Sequence, residues 1–207
     1  MPELQLDERF VNPTLDPRLA WYCEPSRWKL EPRPGRLRVE PDAKTDFWQR
    51  THYGFQVDNG HFLFAEVAGP FRLDTRVRFE PAHQYDQAGL MVRLSADCWL
   101  KTSIEHEPGP TNRLGVVVTN AGYSDWSTQD VPGEVHEIWL RLERSGADYQ
   151  VESSTDGTHW SQLRIAHLHA DDGQRPVAAG LYACSPQAAG YAAEFDYLSL
   201  SVPLRLR

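Results

Sequence analysis

Apolar and polar residues alternate most regularly in FRLDTRVRFEP, residues 71–81. The apolar side of this alternation is formed by Phe71, Leu73, Thr75, Val77 and Phe79. Charged residues occupy the positions between them. Because successive side chains of a β-strand point to opposite faces, the pattern predicts a strand with one buried face.

Short segments of the same kind follow along the rest of the chain, with Gly, Pro, Asp and Ser between them. The predicted strands are 85–94, 98–105, 113–120, 137–145, 148–154, 159–166, 176–184 and 193–202. Asn59-Gly60 predicts a tight hairpin turn between YGFQV and HFLFAEV, and Asp156-Gly157 predicts a second hairpin. Short strands separated by turns at such regular intervals are typical of an all-β sandwich or jelly roll.

Helix is expected to be minor, because no segment keeps a 3.6-residue period for longer than about two turns. The candidates for single helical turns are DERF and QDVPGEV. The Pro-rich segment 31–41 is expected at a sheet edge or in a connection, since proline cannot donate to a central ladder. A length of 207 residues fits one large β domain, so we expect residues 1–207 to form a single domain.

The predicted hairpin YDQAGLMVRLSADCWLKTSIE, residues 85–105, has an unusual polar face. That face carries Tyr85, Gln87, Arg93, Trp99, Lys101, Ser103 and Glu105. Amide, hydroxyl and charged groups can hydrogen-bond a polyol, and an aromatic ring can stack on the apolar face of a sugar. The alternative is a half-solvated outer sheet held by cross-strand ion pairs.

Two further segments combine aromatic and polar residues. In YSDWS, Ser124 and Asp125 could orient a ligand hydroxyl while Trp126 stacks on a sugar; alternatively, Asp125 caps a turn and Trp126 covers one end of the sandwich. The segment TDFWQRTHYGF, residues 45–55, is interpreted as a buried edge in which Asp46 forms an Asx-type turn.

Evidence for catalysis is weaker. Glycosidases need two carboxyl groups beside the scissile bond, and Glu105 and Glu107 would lie about 6–7 Å apart on one strand face. A general acid needs a raised pKa, whereas Lys101 is expected to lower that of Glu105. His167 and His169 lack a third ligand at useful spacing and are expected to face solvent. We therefore expect neither a bound metal ion nor a cofactor.

Composition excludes several classes of partner. The formal net charge of −8 gives no electrostatic basis for binding nucleic acid. Neither a leader segment nor an apolar stretch near 18 residues is present, so no membrane association is expected. Cys23, Cys98 and Cys184 are odd in number and widely spaced, which indicates a reduced, cytoplasmic setting.

Several segments together resemble the DUF1349 family, which includes a fungal regulator of enolase. They are TDFWQRTHYGF, NGHFLF, YDQAGLMVRLSADCWLKTSIE, VVVTNAGYSDWS, SSTDGTHWSQLR and GLYACSPQAAGYAAEFDYL, spread over about residues 20–200. The resemblance implies a concanavalin A-like lectin/glucanase fold, a jelly-roll β-sandwich of two antiparallel sheets. The motif positions that carry over are Tyr85, Asp86, Gln87, Ala88, Gly89, Trp99, Lys101, Glu105, Ser124, Asp125 and Trp126. The E-x-D-x-x-E strand of the superfamily's glucanases is absent.

The sequence thus favours a non-catalytic domain that binds a carbohydrate or a sugar phosphate on a polar, concave sheet face. The expected ligand-binding residues are Tyr85, Gln87, Arg93, Trp99, Lys101, Ser103, Glu105, Ser124, Asp125 and Trp126, with Tyr182 at the rim. One alternative is a glycoside hydrolase that uses Glu105. Another is a regulatory module that binds a protein partner of central carbon metabolism.

Overall fold

The computed structural model describes residues 3–202, which form eighteen strands and no helix. The first nine are β1 (Glu3–Glu8), β2 (Ala20–Tyr22), β3 (Arg27–Glu31), β4 (Arg36–Glu40), β5 (Phe47–Gln49), β6 (Gln56–Asp58), β7 (His61–Val67), β8 (Phe71–Glu80) and β9 (Gln87–Ser95). The others are β10 (Cys98–Glu105), β11 (Thr111–Asn120), β12 (Tyr123–Pro132), β13 (Glu137–Ser145), β14 (Asp148–Ser154), β15 (Ser161–His167), β16 (Val177–Cys184), β17 (Ala192–Phe195) and β18 (Leu198–Val202).

Two large antiparallel sheets form the jelly-roll sandwich expected from the sequence. Sheet A has the order β15-β14-β13-β8-β17-β4-β3, with β18 pairing with β8 and β1. Sheet B has the order β12-β11-β10-β9-β16-β7-β2. Within this described region there is no helix that could cross a membrane.

The main core fills the space between the sheets with the apolar residues that alternate along the strands. Leu73 and Leu140 come from sheet A, Leu90 and Leu100 come from sheet B, and all four are fully buried. Burial of apolar side chains of this size contributes about 1.5–3 kcal/mol each. The period-two pattern therefore identified the inward faces of these strands correctly.

A second, smaller apolar cluster lies on the outer face of sheet B. Met91, Trp99, Val117 and Tyr182 project outward from the sheet and pack with Phe47. They are buried because residues 45–58, which we call the flap, fold over this face. The flap consists of β5, β6 and the turn between them.

The hairpin predicted at Asn59-Gly60 is not formed. β6 pairs with β5, whereas β7 pairs with β16 and β2, so the two segments flanking Asn59-Gly60 do not pair with each other. The backbone N–H groups of Asn59 and Gly60 instead donate to the carbonyl oxygen of Asp46 at 3.1 and 3.0 Å. These bonds close the base of the flap where the chain enters sheet B.

The other local predictions have mixed outcomes. β14 and β15 pair antiparallel on either side of Asp156-Gly157, which confirms that hairpin. The two proposed helical turns are wrong, since DERF contains the last two residues of β1 followed by a bend, and QDVPGEV forms the end of β12 and a turn. The strand residues of both segments pair with neighbouring strands, which satisfies those backbone groups without a helix. Residues 31–41 contain β4 and the turn that joins it to the edge strand β3.

Candidate functional site

A cleft of about 180 Å³ lies between the flap and the outer face of sheet B. Its lining residues are Asp46, Trp48, Tyr53, Phe55, Tyr85, Gln87, Lys101, Glu105, Val117 and Trp126. The flap contributes the first four, and the strands β9 to β12 with the turn before β9 contribute the others. The volume corresponds to about six water molecules at liquid density, which suits a ligand of one small ring.

Aromatic rings form the walls of the cleft. Trp48 stands nearly perpendicular to Trp126, with ring centroids 6.4 Å apart, and lies 5.4 Å from Tyr53. Tyr53 in turn stacks on Phe55 at 5.8 Å. Tyr53, Phe55 and Trp126 are exposed to solvent. Rings held by their neighbours in this way offer preformed apolar contact area at little cost in side-chain entropy.

A buried hydrogen-bond network forms the floor. The Lys101 Nζ donates to Asp46 Oδ1 at 3.0 Å and to Gln87 Oε1 at 2.8 Å. The hydroxyl of Tyr182 donates to the same Gln87 oxygen at 3.1 Å. Lys101 is almost fully buried, and these acceptors replace the hydration that its ammonium group loses. The bond to Asp46 also fastens the flap to the sheet.

Glu105 is the unusual member of this floor. Its Oε2 accepts a hydrogen bond from the Gln87 Nε2 at 2.9 Å, but its buried Oε1 has no partner in the part of the chain that the structure describes. Burial raises the pKa of Glu105 to about 8, against the lowering effect of Lys101. Lys101 lowers the pKa of Glu105, as expected from the sequence, but burial has the larger effect. Lys101 is directed at Asp46 and Gln87, and loss of hydration outweighs its field.

Left-handed backbone conformations cluster around the cleft. The φ angle is +71° at Tyr85, and it is +54° at Arg50 and +63° at His52 in the flap turn. Such angles are uncommon for residues other than glycine and cost energy unless the surrounding structure holds them. Strain of this kind is often concentrated at binding sites, which supports a functional role for this region.

The structure brings only some of the proposed site residues to the cleft. Tyr85, Gln87, Lys101, Glu105 and Trp126 line it. The side chains of Trp99, Ser103 and Tyr182 are buried in or beneath the floor, so Tyr182 is not at the rim. The proposed floor is therefore a covered and largely buried surface rather than an open sheet face.

Three further residues have other positions. Arg93 lies outside the cleft lining, where its Nη2 donates to Asp58 Oδ2 of the flap at 2.7 Å. Ser124 is buried, and its Oγ accepts the Gln49 N–H at 2.9 Å. Asp125 is exposed on the face of β12 that points away from the cleft, where it accepts a hydrogen bond from Arg164 at 2.9 Å. Arg93 and Ser124 thus help to hold the flap in place.

The sequence interpretation missed the contribution of the flap to the cleft. Asp46, Trp48, Tyr53 and Phe55 belong to the segment that was interpreted as a buried edge, and Asp46 binds Lys101 instead of forming an Asx-type turn. The dense aromatic content of TDFWQRTHYGF was the available signal.

Glu107 does not join Glu105 in the cleft, and His167 and His169 lie at the surface. Glu107 lies beyond the end of β10, where its Oε2 accepts from Gln84 at 2.8 Å, and it does not line the cleft. His167 and His169 are exposed, as expected. Among residues 3–202, no group of three or more His, Cys, Asp or Glu side chains is arranged to hold a metal ion.

The antiparallel jelly-roll sandwich, with one outer face enclosed by a flap, places the chain in the concanavalin A-like class of β-sandwiches. Residues 21–203 match the family described as "Protein of unknown function (DUF1349)". The chain belongs to this DUF1349 family.

Three relatives illustrate the range of the family resemblance. "Regulation of enolase protein 1" of Saccharomyces cerevisiae is 38% identical over 170 residues, which cover 82% of this chain and 83% of that protein. A solved structure of a functionally unknown protein from S. cerevisiae is 36% identical, with a TM-score of 0.82, and the match covers 90% of this chain and 97% of that one. A "Putative beta-xylosidase" of Escherichia coli is 26% identical over 76% of this chain but only 29% of its own length.

Proposed function

We propose that this chain is a non-catalytic binding domain for a carbohydrate that presents one sugar ring to the cleft. The observation that carries the proposal is the unpartnered Oε1 of Glu105, buried in the floor beneath aromatic walls. A buried polar atom without a partner costs about 1–3 kcal/mol. A ligand hydroxyl would supply that partner, so binding would remove a cost that the empty protein bears.

The rest of the cleft has the chemistry that a sugar ring requires. Trp126 and Tyr53 offer apolar surface for the C–H face of the ring. Asp46 Oδ1 accepts hydrogen bonds from Lys101 Nζ and from the backbone N–H of Phe47, while Oδ2 accepts none from the described residues. A few polar groups in a mostly apolar recess are typical of small-molecule sites.

The geometry favours an unphosphorylated sugar over a sugar phosphate. Lys101 is the cation that lines the cleft, and its ammonium group is bound to Asp46 and Gln87. Arg93, which could hold a phosphate in bidentate fashion, lies outside the cleft and pairs with Asp58. A phosphate would therefore face two carboxyl groups without an available cation.

Titration calorimetry against common monosaccharides tests this proposal. A Trp126→Ala variant is expected to weaken binding about fivefold, since stacking contacts of this kind contribute about 1 kcal/mol. Its melting temperature should change little, because Trp126 lies exposed on an edge strand. Tyr123→Ala is the matched control, an exposed aromatic on the same strand that does not line the cleft. Equal loss in both variants, or no saturable binding of any sugar, would contradict the proposal.

Glycoside hydrolysis with Glu105 as general acid is a second candidate. It is favoured by the raised pKa of Glu105, which keeps the carboxyl protonated near neutral pH, and by the second carboxyl group of Asp46 in the same cleft. The ion pair between Asp46 and Lys101 counts against it, because a nucleophile or base held in this way is less free to react. Turnover of aryl glycosides that disappears in Glu105→Gln would support hydrolysis. Absence of turnover from a protein that binds sugar would exclude it.

A regulatory interaction with another protein is the third candidate, and it is motivated by the name of the yeast relative. Tyr53, Phe55 and Tyr123 are exposed near the cleft and could contact a partner. Cys23, Cys98 and Cys184 are free thiols, which is compatible with the cytoplasmic setting proposed from the sequence. Crosslinking followed by identification of one stoichiometric partner, lost in Tyr53→Ser, would favour this function.

A further inference from the structure

The charges of the cleft are unevenly paired. Asp46 and Glu105 are its two acids, and Lys101 is its one base among the described lining residues. The ammonium of Lys101 donates to Asp46 at 3.0 Å and to Gln87 at 2.8 Å, and it makes no hydrogen bond to Glu105. Among the described residues, Glu105 accepts a hydrogen bond only from the neutral amide of Gln87. One acid therefore lies in the cleft without a cation to balance it.

The aromatic walls lack cations as well. Elsewhere in the described part of the chain, guanidinium groups lie over rings, as Arg141 does over Trp160 at 3.6 Å and Arg76 over Trp139 at 4.5 Å. No such contact covers Trp48, Tyr53, Phe55, Tyr85 or Trp126 among residues 3–202. The negative faces of aromatic rings attract cations within about 6 Å.

We propose that the preferred ligand of the cleft is an amino sugar, a single sugar ring that carries a protonated primary amine, with its ammonium group on Glu105 Oε1. This inference rests on the proposed carbohydrate-binding function and specifies its ligand. The ring occupies the aromatic walls, and the amine supplies both the missing hydrogen-bond donor and the missing positive charge. Charge-assisted bonds of this kind are about twice as strong as neutral ones.

The amine also changes the protonation of Glu105. In the empty cleft burial raises the pKa of Glu105 to about 8; Asp46 and Glu107 add to the rise, while Lys101 and Arg113 oppose it. Because this pKa lies about one unit above pH 7, a ligand that requires the ionised carboxyl binds about tenfold more weakly at pH 7 than it would to a carboxyl that is already ionised. A bound ammonium group favours the ionised form, so an amino sugar should displace one proton from Glu105. A neutral sugar should leave that proton in place.

Calorimetry at pH 7 with glucosamine, glucose and N-acetylglucosamine as probes tests the inference. Each titration is run in two buffers that differ in ionisation enthalpy, and the result is corrected for the titration of the amine itself. We expect glucosamine to bind about tenfold or more tighter than glucose and to release close to one proton. N-acetylglucosamine, whose nitrogen is uncharged, should lose that advantage.

Two variants assign the effect to Glu105. Glu105→Gln keeps the shape of the side chain but cannot ionise, so the ratio of glucosamine to glucose affinity should fall to about one and proton release should stop. Glu107→Gln, at a position outside the cleft lining, should retain the glucosamine preference; because Glu107 helps to raise the pKa of Glu105, this variant should release somewhat fewer protons. Circular dichroism checks that each variant is folded, and Glu105→Asp, which keeps the acid, should retain part of the preference if Gln disturbs the floor.

The outcomes separate this inference from the function on which it rests. Equal affinity for glucose and glucosamine in the natural protein, or a glucosamine preference that persists in Glu105→Gln, would overturn the amino-sugar assignment and leave sugar binding intact. Absence of binding by all three sugars would overturn the assignment, and absence of binding by the other common monosaccharides as well would overturn the proposed function.

Discussion

The outer faces of both sheets carry charged residues, yet the two sheets use them differently. On sheet A the charges pair across neighbouring strands: Arg72 Nε donates to Glu143 at 2.6 Å and Arg141 Nε donates to Asp74 at 2.7 Å. On sheet B the cation Lys101 pairs with Asp46 of the flap, and no cation hydrogen-bonds Glu105 in the described chain.

The aromatic residues show the same contrast. On sheet A the faces of Trp139 and Trp160 are covered by arginines. In the cleft on sheet B the faces of Trp48 and Trp126 carry no cation from the described residues. A face whose charges and rings are paired among themselves is a structural surface. On the covered face of sheet B, the carboxyl of Glu105 has an oxygen without a partner, and a ligand could supply the hydrogen-bond donor that it lacks.

The largest effect on the difference between the two sheets is expected from removing Phe47, the apolar side chain that anchors the flap to sheet B. Phe47 is fully buried against Trp99 and Tyr182, with ring centroids 6.2 and 6.3 Å away. Phe47→Ala should lower the free energy of unfolding by about 3–5 kcal/mol, as large-to-small core substitutions do. Urea denaturation measures the change. Phe55→Ala is the control within the flap, and its exposed ring should cost less than about 1 kcal/mol. Similar losses in both variants would show that the flap is not anchored by Phe47.

The next effect concerns the buried ion pair. Lys101→Met leaves Asp46 without its cation and should destabilise the protein by about 3 kcal/mol. The double variant Asp46→Asn with Lys101→Met should recover part of that loss, because no uncompensated charge remains. Thermal unfolding of the four proteins gives the coupling between the two residues. Additive losses would show that the pair does not hold the flap to the sheet.

The third effect is a dependence of stability on pH that comes from Glu105. The folded protein keeps the proton of this carboxyl up to about pH 8, whereas an unfolded chain releases it near the ordinary pKa of 4.5. Stability should therefore fall as pH rises between these two values. Glu105→Gln should abolish this fall and be more stable than the natural protein at pH 9 by about 2 kcal/mol, below the full linkage limit because Glu105 is partly exposed to solvent. Parallel pH profiles of the two proteins would contradict the raised pKa.

The sandwich could be predicted from the sequence because strand alternation is a local property. The pattern in 71–81 correctly identified the buried side of β8, and the outward position of Lys101 and Glu105 also followed from alternation. Alternation gives the face on which a residue lies, but it does not show whether another segment covers that face.

The cleft therefore could not be derived in full. Asp46 meets Lys101 across 55 positions of sequence, and Asn59-Gly60 has the composition of a hairpin turn although its flanking segments pair elsewhere. The pKa of Glu105 depends on the resulting burial, which outweighs the lowering effect of Lys101 and could not be derived from the sequence. The aromatic residues of the flap were visible in the sequence, but their position over sheet B was not.

The smallest effect is expected from the ion pairs on sheet A. Arg72 and Glu143 retain about a third of their side-chain exposure, at 35% and 28%, so water and salt screen their attraction. A double-mutant cycle with Arg72→Gln and Glu143→Gln should give a coupling of about 0.2–1 kcal/mol that weakens at high salt. The same cycle at Lys101 and Asp46 should give a larger value with little response to salt, because that pair is shielded by the flap. Equal couplings at the two sites would mean that covering sheet B does not change how its charges act, and would remove the physical basis for treating Glu105 as an exception.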